Sequence, residues 1–459
     1  MPRMVCSAVL QRFVSQRPVA VMVRSVLERQ LGDCFFDTTF AEVAQEQYTR
    51  ELAFSTCARL LSQVTLGQAK SVHAAFVKDR ETIPVSIASL YEKLQHIEPQ
   101  VCEELVHRSA ASVNEVIRRL NRRAEPIPGY RLRIVDGNVL AGSEHRLKEL
   151  RGTAMAALPG RTLALYEYAT GLIGALVACE DGQTSERRLV SPLLEHLEKG
   201  DLLMADRNFC TAVFLQELKE LAVAFLIRHH AGLSLTFVGK ARSRGRCQTG
   251  KVREQQVRLN CGLVCRAIII VRRQPLSDGS RKVTLLTNVP SRNASARRLA
   301  DLYLQRWTIE EAFRQLTEYL ACEVRTLGYP KAALFAFTLA VLAYNALRCV
   351  QAALNAAHPD HQNDWSAFYL AWEVKATFEG LLVAVPAEEW QPVAAMSNAE
   401  LAAFLKQLAQ HVKPERYTKH RRGPKKTVPR KKVRSRHVST AKLLQQRKSQ
   451  QNKTVAASP

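Results

Sequence analysis

Along the first 124 or so residues, apolar positions recur every three or four places, the period of a helix with one buried face. Glu42–Leu61, Ile87–Leu94 and Val101–Leu120 all carry this pattern. Pro84 and Pro99 punctuate it, and the cluster Pro126-Ile127-Pro128-Gly129 marks a domain boundary. Beyond that cluster the period shortens to that of strands. Arg131-Leu-Arg-Ile-Val-Asp136-Gly137 predicts a short strand ending in a turn. Thr162–Tyr168 and Leu172–Cys179 predict two more, joined as a hairpin near Ala169-Thr170-Gly171. Ser185–Lys199 predicts an amphipathic helix capped by Gly200. A fourth strand at Asp201–Asp206, a helix at Thr211–Leu221 and a fifth strand at Ala222–Ile227 follow.

Hairpin-rich β, then α, β, α, β, describes a mixed sheet with helices packed on it, as in a ribonuclease-H-like fold. From about 228 to 295 the pattern turns β-rich again. Gly262–Arg272 and Arg281–Val289 read as paired strands around Pro275-Leu-Ser-Asp-Gly279, and this segment is expected to be an insertion into the sheet domain. A helix runs from Ala296 to about Leu320. The apolar stretch Ala332–Leu347 contains Thr338, Tyr344 and Asn345 and falls short of the ~20 residues a bilayer requires, so it predicts a buried helix. The expected class is therefore α/β. A ribonuclease-H-like mixed sheet (125–350) is interrupted by a β-rich insertion and preceded by a helical N-terminal domain (1–124). A helical segment (351–410) and a basic C-terminal tail (411–459) follow it.

Charge changes the picture. The 459 residues are 47% apolar and 24% charged, as in a globular protein, yet the net charge is +24. From His411 to the end there are 16 Lys and Arg against one acid, Glu415. Such a field attracts polyanions, nucleic acid foremost. A membrane surface is disfavoured, because Tyr417 is the tail's only aromatic anchor and Gly423-Pro424 and Pro429 break helical amphipathicity. The eleven cysteines are scattered and odd in number, and no second Cys or His pair accompanies Cys261 and Cys265 at zinc spacing. Reduced thiols in a cytoplasmic protein fit this, and the first thirty residues, with five arginines, carry no secretory pattern.

Asp136 and Asp206 each close an apolar strand. Singly, Asp136-Gly137 suits a turn and Asp206 a helix N-cap. Together, at the carboxyl edge of adjacent strands, two carboxylates a few ångströms apart ask for a cation, and oxygen ligands suit magnesium. Tyr303, Arg306 and Glu310 share one helical face at i, i+3, i+7. That stripe suits a metal ligand flanked by phosphate clamps, or a solvated face with an Arg306–Glu310 pair.

The segments Ile134-Val-Asp136-Gly137-Asn138, Ala205-Asp206-Arg207-Asn208-Phe209 and Tyr303-x-x-Arg306-Trp307-x-Ile-Glu310 resemble the catalytic blocks of bacterial insertion-sequence DDE transposases. The likeness is to the branch with a Y-x-x-R-x-x-x-E-x-x-x-x-x-x-K signature. It extends over about residues 20 to 350 and includes Gln47-Tyr48-Thr-Arg50-Glu51-Leu52 in the helical, DNA-binding N-terminal region. The resemblance implies that Asp136, Asp206 and Glu310 hold two Mg2+ ions (Mn2+ as substitute) for DNA strand cleavage and strand transfer. It implies that Tyr303, Arg306 and Arg207 contact phosphate, and that Glu310 rather than Glu311 is the ligand. Its implied partners are double-stranded DNA, in the form of element ends and target, and a second copy in a synaptic homodimer, at work on the bacterial nucleoid. Two positions depart from the pattern. Thr317 stands where the lysine belongs, leaving that contact absent or supplied by a residue such as Arg314, and the insertion holds no tryptophan for stacking a flipped base. A catalytically impaired remnant acting as a DNA-binding regulator is the alternative that Thr317 raises.

Other basic groups are DNA-contact candidates: Arg242, Arg244, Arg246, Lys251, Arg253 and Arg258 in the insertion, and His145, Arg146, Lys148 and Arg151 after the first carboxylate strand. An exposed loop accounts for the first set equally simply, and a charged helix face is the alternative to a DNA groove for the second. His229-His230 has no third metal ligand at suitable spacing, and Cys210 is expected in the core.

Overall fold

A computed structural model describes residues 7–120, 122–140, 160–182, 184–276, 279–324, 327, 329–362, 364–420 and 423. His145, Arg146, Lys148, Arg151 and, Gly423 apart, the tail from Arg421 lie outside the described residues.

The alternating segments after Pro128 form the strands β1 (Arg131–Val139), β2 (Arg161–Glu167), β3 (Ile173–Cys179), β4 (Asp201–Ala205) and β5 (Ala224–Arg228). β6 (Leu235–Arg246), β7 (Gly250–Leu259), β8 (Val264–Arg272) and β9 (Lys282–Thr287) join them in one sheet, ordered β3-β2-β1-β4-β5-β9-β8-β7-β6. β1, β4 and β5 are parallel neighbours, and the remaining pairs are antiparallel. Two expectations change here. The β-rich segment does not interrupt the sheet but extends it, because β9 returns antiparallel along the outer edge of β5, Leu226 opposite Thr287, and covers an edge that would otherwise stay unpaired. And β1 does not stop at Gly137. Pairing with β2 carries it to Val139, with Asp136 opposite Ala164.

The N-terminal helices are α1 (Ala8–Gln16), α2 (Pro18–Gln30), α3 (Asp33–Val43), α4 (Phe54–Thr65), α5 (Val72–Lys78), α6 (Ile87–His96) and α7 (Pro99–Leu120). The helix expected from Glu42 to Leu61 is broken between Val43 and Phe54. The Glu98 carboxylate accepts the backbone N–H groups of Gln45, Glu46 and Gln47, which holds that stretch out of the helix. The helix expected over Ser185–Lys199 is reduced to short turns, α8 covering only Val190–Leu193. Pro192 would remove an interior hydrogen bond from the longer helix. α9 (Ala212–Glu220) lies where expected. The helix expected from Ala296 to Leu320 divides into α10 (Ala296–Leu302), a 3-10 turn at Tyr303–Arg306 and α11 (Trp307–Tyr319). α12 (Pro330–Ala357), α13 (Ala367–Ala384), α14 (Gln391–Ala394) and α15 (Asn398–Ala409) complete the chain.

Strand alternation sends side chains to two cores. Leu132, Ile134, Leu202 and Met204 face the larger one, built with the N-terminal helices, α11 and α12. Val135, Leu203 and Ala205 face the smaller one with α9. α12 is long and apolar enough to cross a membrane, but 89% of its apolar window is buried inside the protein. Two of its polar residues show how it fits there. Asn345 is fully buried, and its side-chain amide takes both the N–H and the C=O of Ile173 on β3, at 3.0 Å each. Tyr344 donates to the Gly171 carbonyl at 3.1 Å. Each group trades water for a protein partner, so the helix can be central to a packed domain.

Candidate active site

The β1–β4 register sets the two aspartates level. Ile134 lies opposite Met204, and each aspartate comes two residues later, Asp136 within β1 and Asp206 just past the end of β4. Even-numbered positions of both strands face the larger core, so Asp136 and Asp206 emerge on the face that carries α11. Their local partners are also those that a turn and a cap residue would have. Asp136 accepts from the Gly137 N–H at 3.0 Å, and Asp206 accepts from the Asn208 N–H at 2.6 Å. Turn or cap residue and candidate site residue are the same side chain.

α11 brings the third carboxylate, and the 3-10 turn before it brings the cation. Arg306 is buried and donates to Asp136 at 2.9 Å and to Glu310 at 2.5 Å. The Arg306–Glu310 pair therefore exists, but its guanidinium sits inside the site rather than on a solvated face. Burial pushes the Asp136 carboxyl up to about 6; Arg306 and the Gly137 N–H oppose this, and Asp206 and Glu310 add to it. Tyr303 is committed too: its hydroxyl donates to the Ala205 carbonyl at 3.2 Å, and burial raises its pKa. In this state neither Tyr303 nor Arg306 is free to clamp phosphate. Among the described residues, no three His, Cys, Asp or Glu side chains are placed to hold a metal ion. The guanidinium between Asp136 and Glu310 supplies the positive charge instead. The donor set still fits a hard cation: three carboxylates, one with its proton affinity raised by burial and by its two neighbours.

One acid in the site escaped the sequence analysis. Glu186, in the turn after β3, accepts from the Asn208 side-chain amide at 2.6 Å and from Arg161 at 3.4 Å. It lies so close to β1 that a Cβ on Gly137 would run into its carboxylate. Glu186 thus bridges the residue after Asp136 to the turn after Asp206. The one sequence signal for it was the glycine beside Asp136, which reads equally as a turn former.

The remaining candidates divide. Arg207 is exposed one residue beyond Asp206 and open to a ligand. Arg314 is held by Glu311 at 2.5 Å and by Glu318, and Thr317 bonds back to the Phe313 carbonyl at 3.1 Å, so neither reaches the carboxylates. Trp307, unremarked in the sequence, is 61% exposed with the Arg306 guanidinium 4.9 Å from its ring centre. The basic residues of β6, the edge strand, and of β7 beside it lie at one end of the sheet. Arg242, Arg246, Lys251, Arg253 and Arg258 are exposed, while Arg244 pairs with Glu254 at 2.6 Å. His229 bonds to the Leu233 carbonyl and His230 to the Gly232 N–H, each a local contact. Cys210 is buried in the core, as expected.

Residues 127–346 match the family model of the transposase DDE domain. The match spans Asp136, Asp206 and Glu310. No curated protein matches the chain in sequence. Among solved structures, the piggyBac transposase synaptic complex with hairpin DNA is similar at a TM-score of 0.43 and 8% identity, covering 84% of this chain and 85% of that one. At that score the likeness bears on neither fold nor activity.

Proposed function

We propose that the chain is a metal-dependent DDE transposase of the bacterial insertion-sequence kind, with a ribonuclease-H-like core that cleaves DNA at the ends of its element and joins it to a target. The observation that carries this is that Asp136 and Asp206 each follow the last parallel pair of β1 and β4 by two residues, with Glu310 brought to Asp136 through Arg306. Asp136, Asp206 and Glu310 are the residues that would hold two Mg2+ ions, or Mn2+ in their place. Bound there, the ions would supply activation of a water or 3′-hydroxyl and charge stabilisation of the leaving oxygen. The protein's own groups do the rest. Tyr303 ties the end of β4 to the turn before α11, Glu186 and Asn208 steady the Asp206 turn, and Arg306 would turn from the carboxylates to a phosphate. Trp307 offers an open ring and Arg207 a second cation at the mouth. The basic sheet edge and the tail add affinity for duplex, the N-terminal helices contact element-end DNA, and two copies act together on DNA in the cytoplasm.

The test is nicking of plasmid DNA carrying the chain's own coding region with its flanks, with Mg2+ or Mn2+ present. Asp136→Asn, Asp206→Asn and Glu310→Gln should each lower the rate by about a hundredfold or more while leaving the unfolding temperature within a few degrees. Nicking that persists in any of the three removes that residue from the site.

A further inference from the structure

Behind α11, on the side away from Glu310, lies a cleft of about 1190 Å3 between α11, α12 and the start of α13. Two of its cations, Arg123 and Arg348, have no acidic partner among the described residues. Arg123 stacks 5.7 Å from the centre of the Tyr168 ring. Arg348 donates to Gln351 at 2.5 Å, and its Nε is buried without a hydrogen-bond partner. Arg314, on the same cleft, is by contrast taken up by Glu311 and Glu318. Past Arg123 and Arg348 the cleft continues into a second hollow of about 410 Å3 that adds Arg122 and Thr170.

The same cleft carries a row of rings. Tyr319 meets Phe368 at 5.6 Å between centres, Phe368 meets Tyr369 at 5.4 Å, and Tyr369 meets His420 at 6.0 Å, each pair edge to face. Phe368 is 48% exposed, so packing within the chain leaves much of its ring open.

We infer that this cleft binds an unpaired stretch of DNA, with bases stacked along Tyr319, Phe368 and Tyr369 and phosphates held by Arg123 and Arg348. Cations without acids recruit phosphate. Open rings recruit bases whose faces are free, and in a duplex those faces are covered by stacking. A recess lined by both rings and guanidiniums therefore favours a single strand over a duplex, which presents only its backbone. α11 links this cleft to the carboxylates, because Glu310 faces one and Glu311 lines the other. The inference rests on the proposed action on DNA.

The test uses the full-length chain. Short oligo(dT) carrying 5-iododeoxyuridine is photocrosslinked and the modified peptides are mapped. Affinities for oligo(dT) and for a short duplex are measured by fluorescence anisotropy. Crosslinks are expected on Phe368 or Tyr369. Phe368→Ala and Arg123→Ala should each weaken oligo(dT) binding roughly tenfold, with duplex binding and unfolding temperature unchanged, and Phe368→Tyr should restore the single-strand affinity. Crosslinks confined to residues 421–459 or to β6 and β7 would overturn the cleft assignment. So would variants that lose duplex and oligo(dT) binding equally, or lose neither. The two failures separate cleanly. A parent protein that nicks DNA while its cleft variants bind normally sinks the cleft alone. One that holds oligo(dT) in the cleft yet never nicks sinks the enzyme assignment.

Discussion

Replacing Arg306 by alanine should destabilise the metal-free protein and make its stability depend on divalent cation. Arg306 is 9% exposed and bonds two carboxylates, at 2.9 Å to Asp136 and 2.5 Å to Glu310. Removing one partner from a buried ion pair typically costs about 3–5 kcal/mol, because the group left behind is both desolvated and unpaired. Here the Asp136 side chain is 18% exposed and Glu310 36%, so solvent screens the Glu310 contact and the expectation falls to about 2–4 kcal/mol. A cation with the same carboxylate preference should restore much of it. The assay is urea unfolding of parent, Arg306→Ala and Arg306→Lys, each with chelator and with excess Mg2+. Arg306→Ala should lose stability with chelator and regain more than the parent does with Mg2+, while Arg306→Lys falls between, keeping the charge without the two-pronged geometry. An Arg306→Ala midpoint equal to the parent's in chelator would refute the idea that the guanidinium stands in for the cation.

Other expectations follow from the same contacts. Glu186→Ala should lower nicking by about tenfold while leaving unfolding little changed, because it frees the Asn208 side chain beside Asp206; an unaltered rate would make Glu186 a bystander. Gly137→Ala should lower nicking in the same way while costing about 1 kcal/mol or less in a denaturant titration, since its Cβ displaces only the flexible end of the Glu186 side chain. Asn345→Leu should cost about 2–4 kcal/mol by the same measurement, orphaning the N–H and C=O of Ile173 inside the core. Burial pushes the Glu103 carboxyl up to about 7, opposed by a 2.8 Å bond from the Ala178 N–H. A carboxyl whose pKa is raised by folding contributes stability below its ordinary unfolded value and loses it as pH rises through the folded one. The parent should therefore weaken between about pH 4.5 and 7, by at most about 3 kcal/mol. Glu103→Gln, which keeps the acceptor oxygen, should flatten that slope and be the more stable protein at pH 8; parallel pH profiles would remove Glu103 as the cause.

How far the residues alone carried the structure can be judged element by element. Their alternation placed β1 to β5 within a residue or two, and the pairing of Asp136 with Asp206 was visible because both follow apolar strands. The spacing of Tyr303, Arg306 and Glu310 pointed to one shared face, and all three do gather near the first two acids, through a 3-10 turn in place of a continuous helix. Expectations failed where a distant side chain competes with local propensity. Glu98 breaks the helix drawn through residues 44–53 from about fifty residues away, and β9 turns a supposed insertion into a continuation of the sheet. Glu186 was invisible for the same reason, since nothing local separates it from any surface acid.

Local sequence thus determined the strands, the helical faces and which acids were worth weighing, because side-chain period and turn chemistry act over a few residues. Tertiary structure alone decided the electrostatics. Whether Arg306 clamps phosphate or neutralises carboxylates, whether Asn345 forbids or permits a buried helix, and whether Arg123 and Arg348 have acids of their own all depend on groups brought from far along the chain. The cost of a buried charge or amide is set by those neighbours and by the water they exclude.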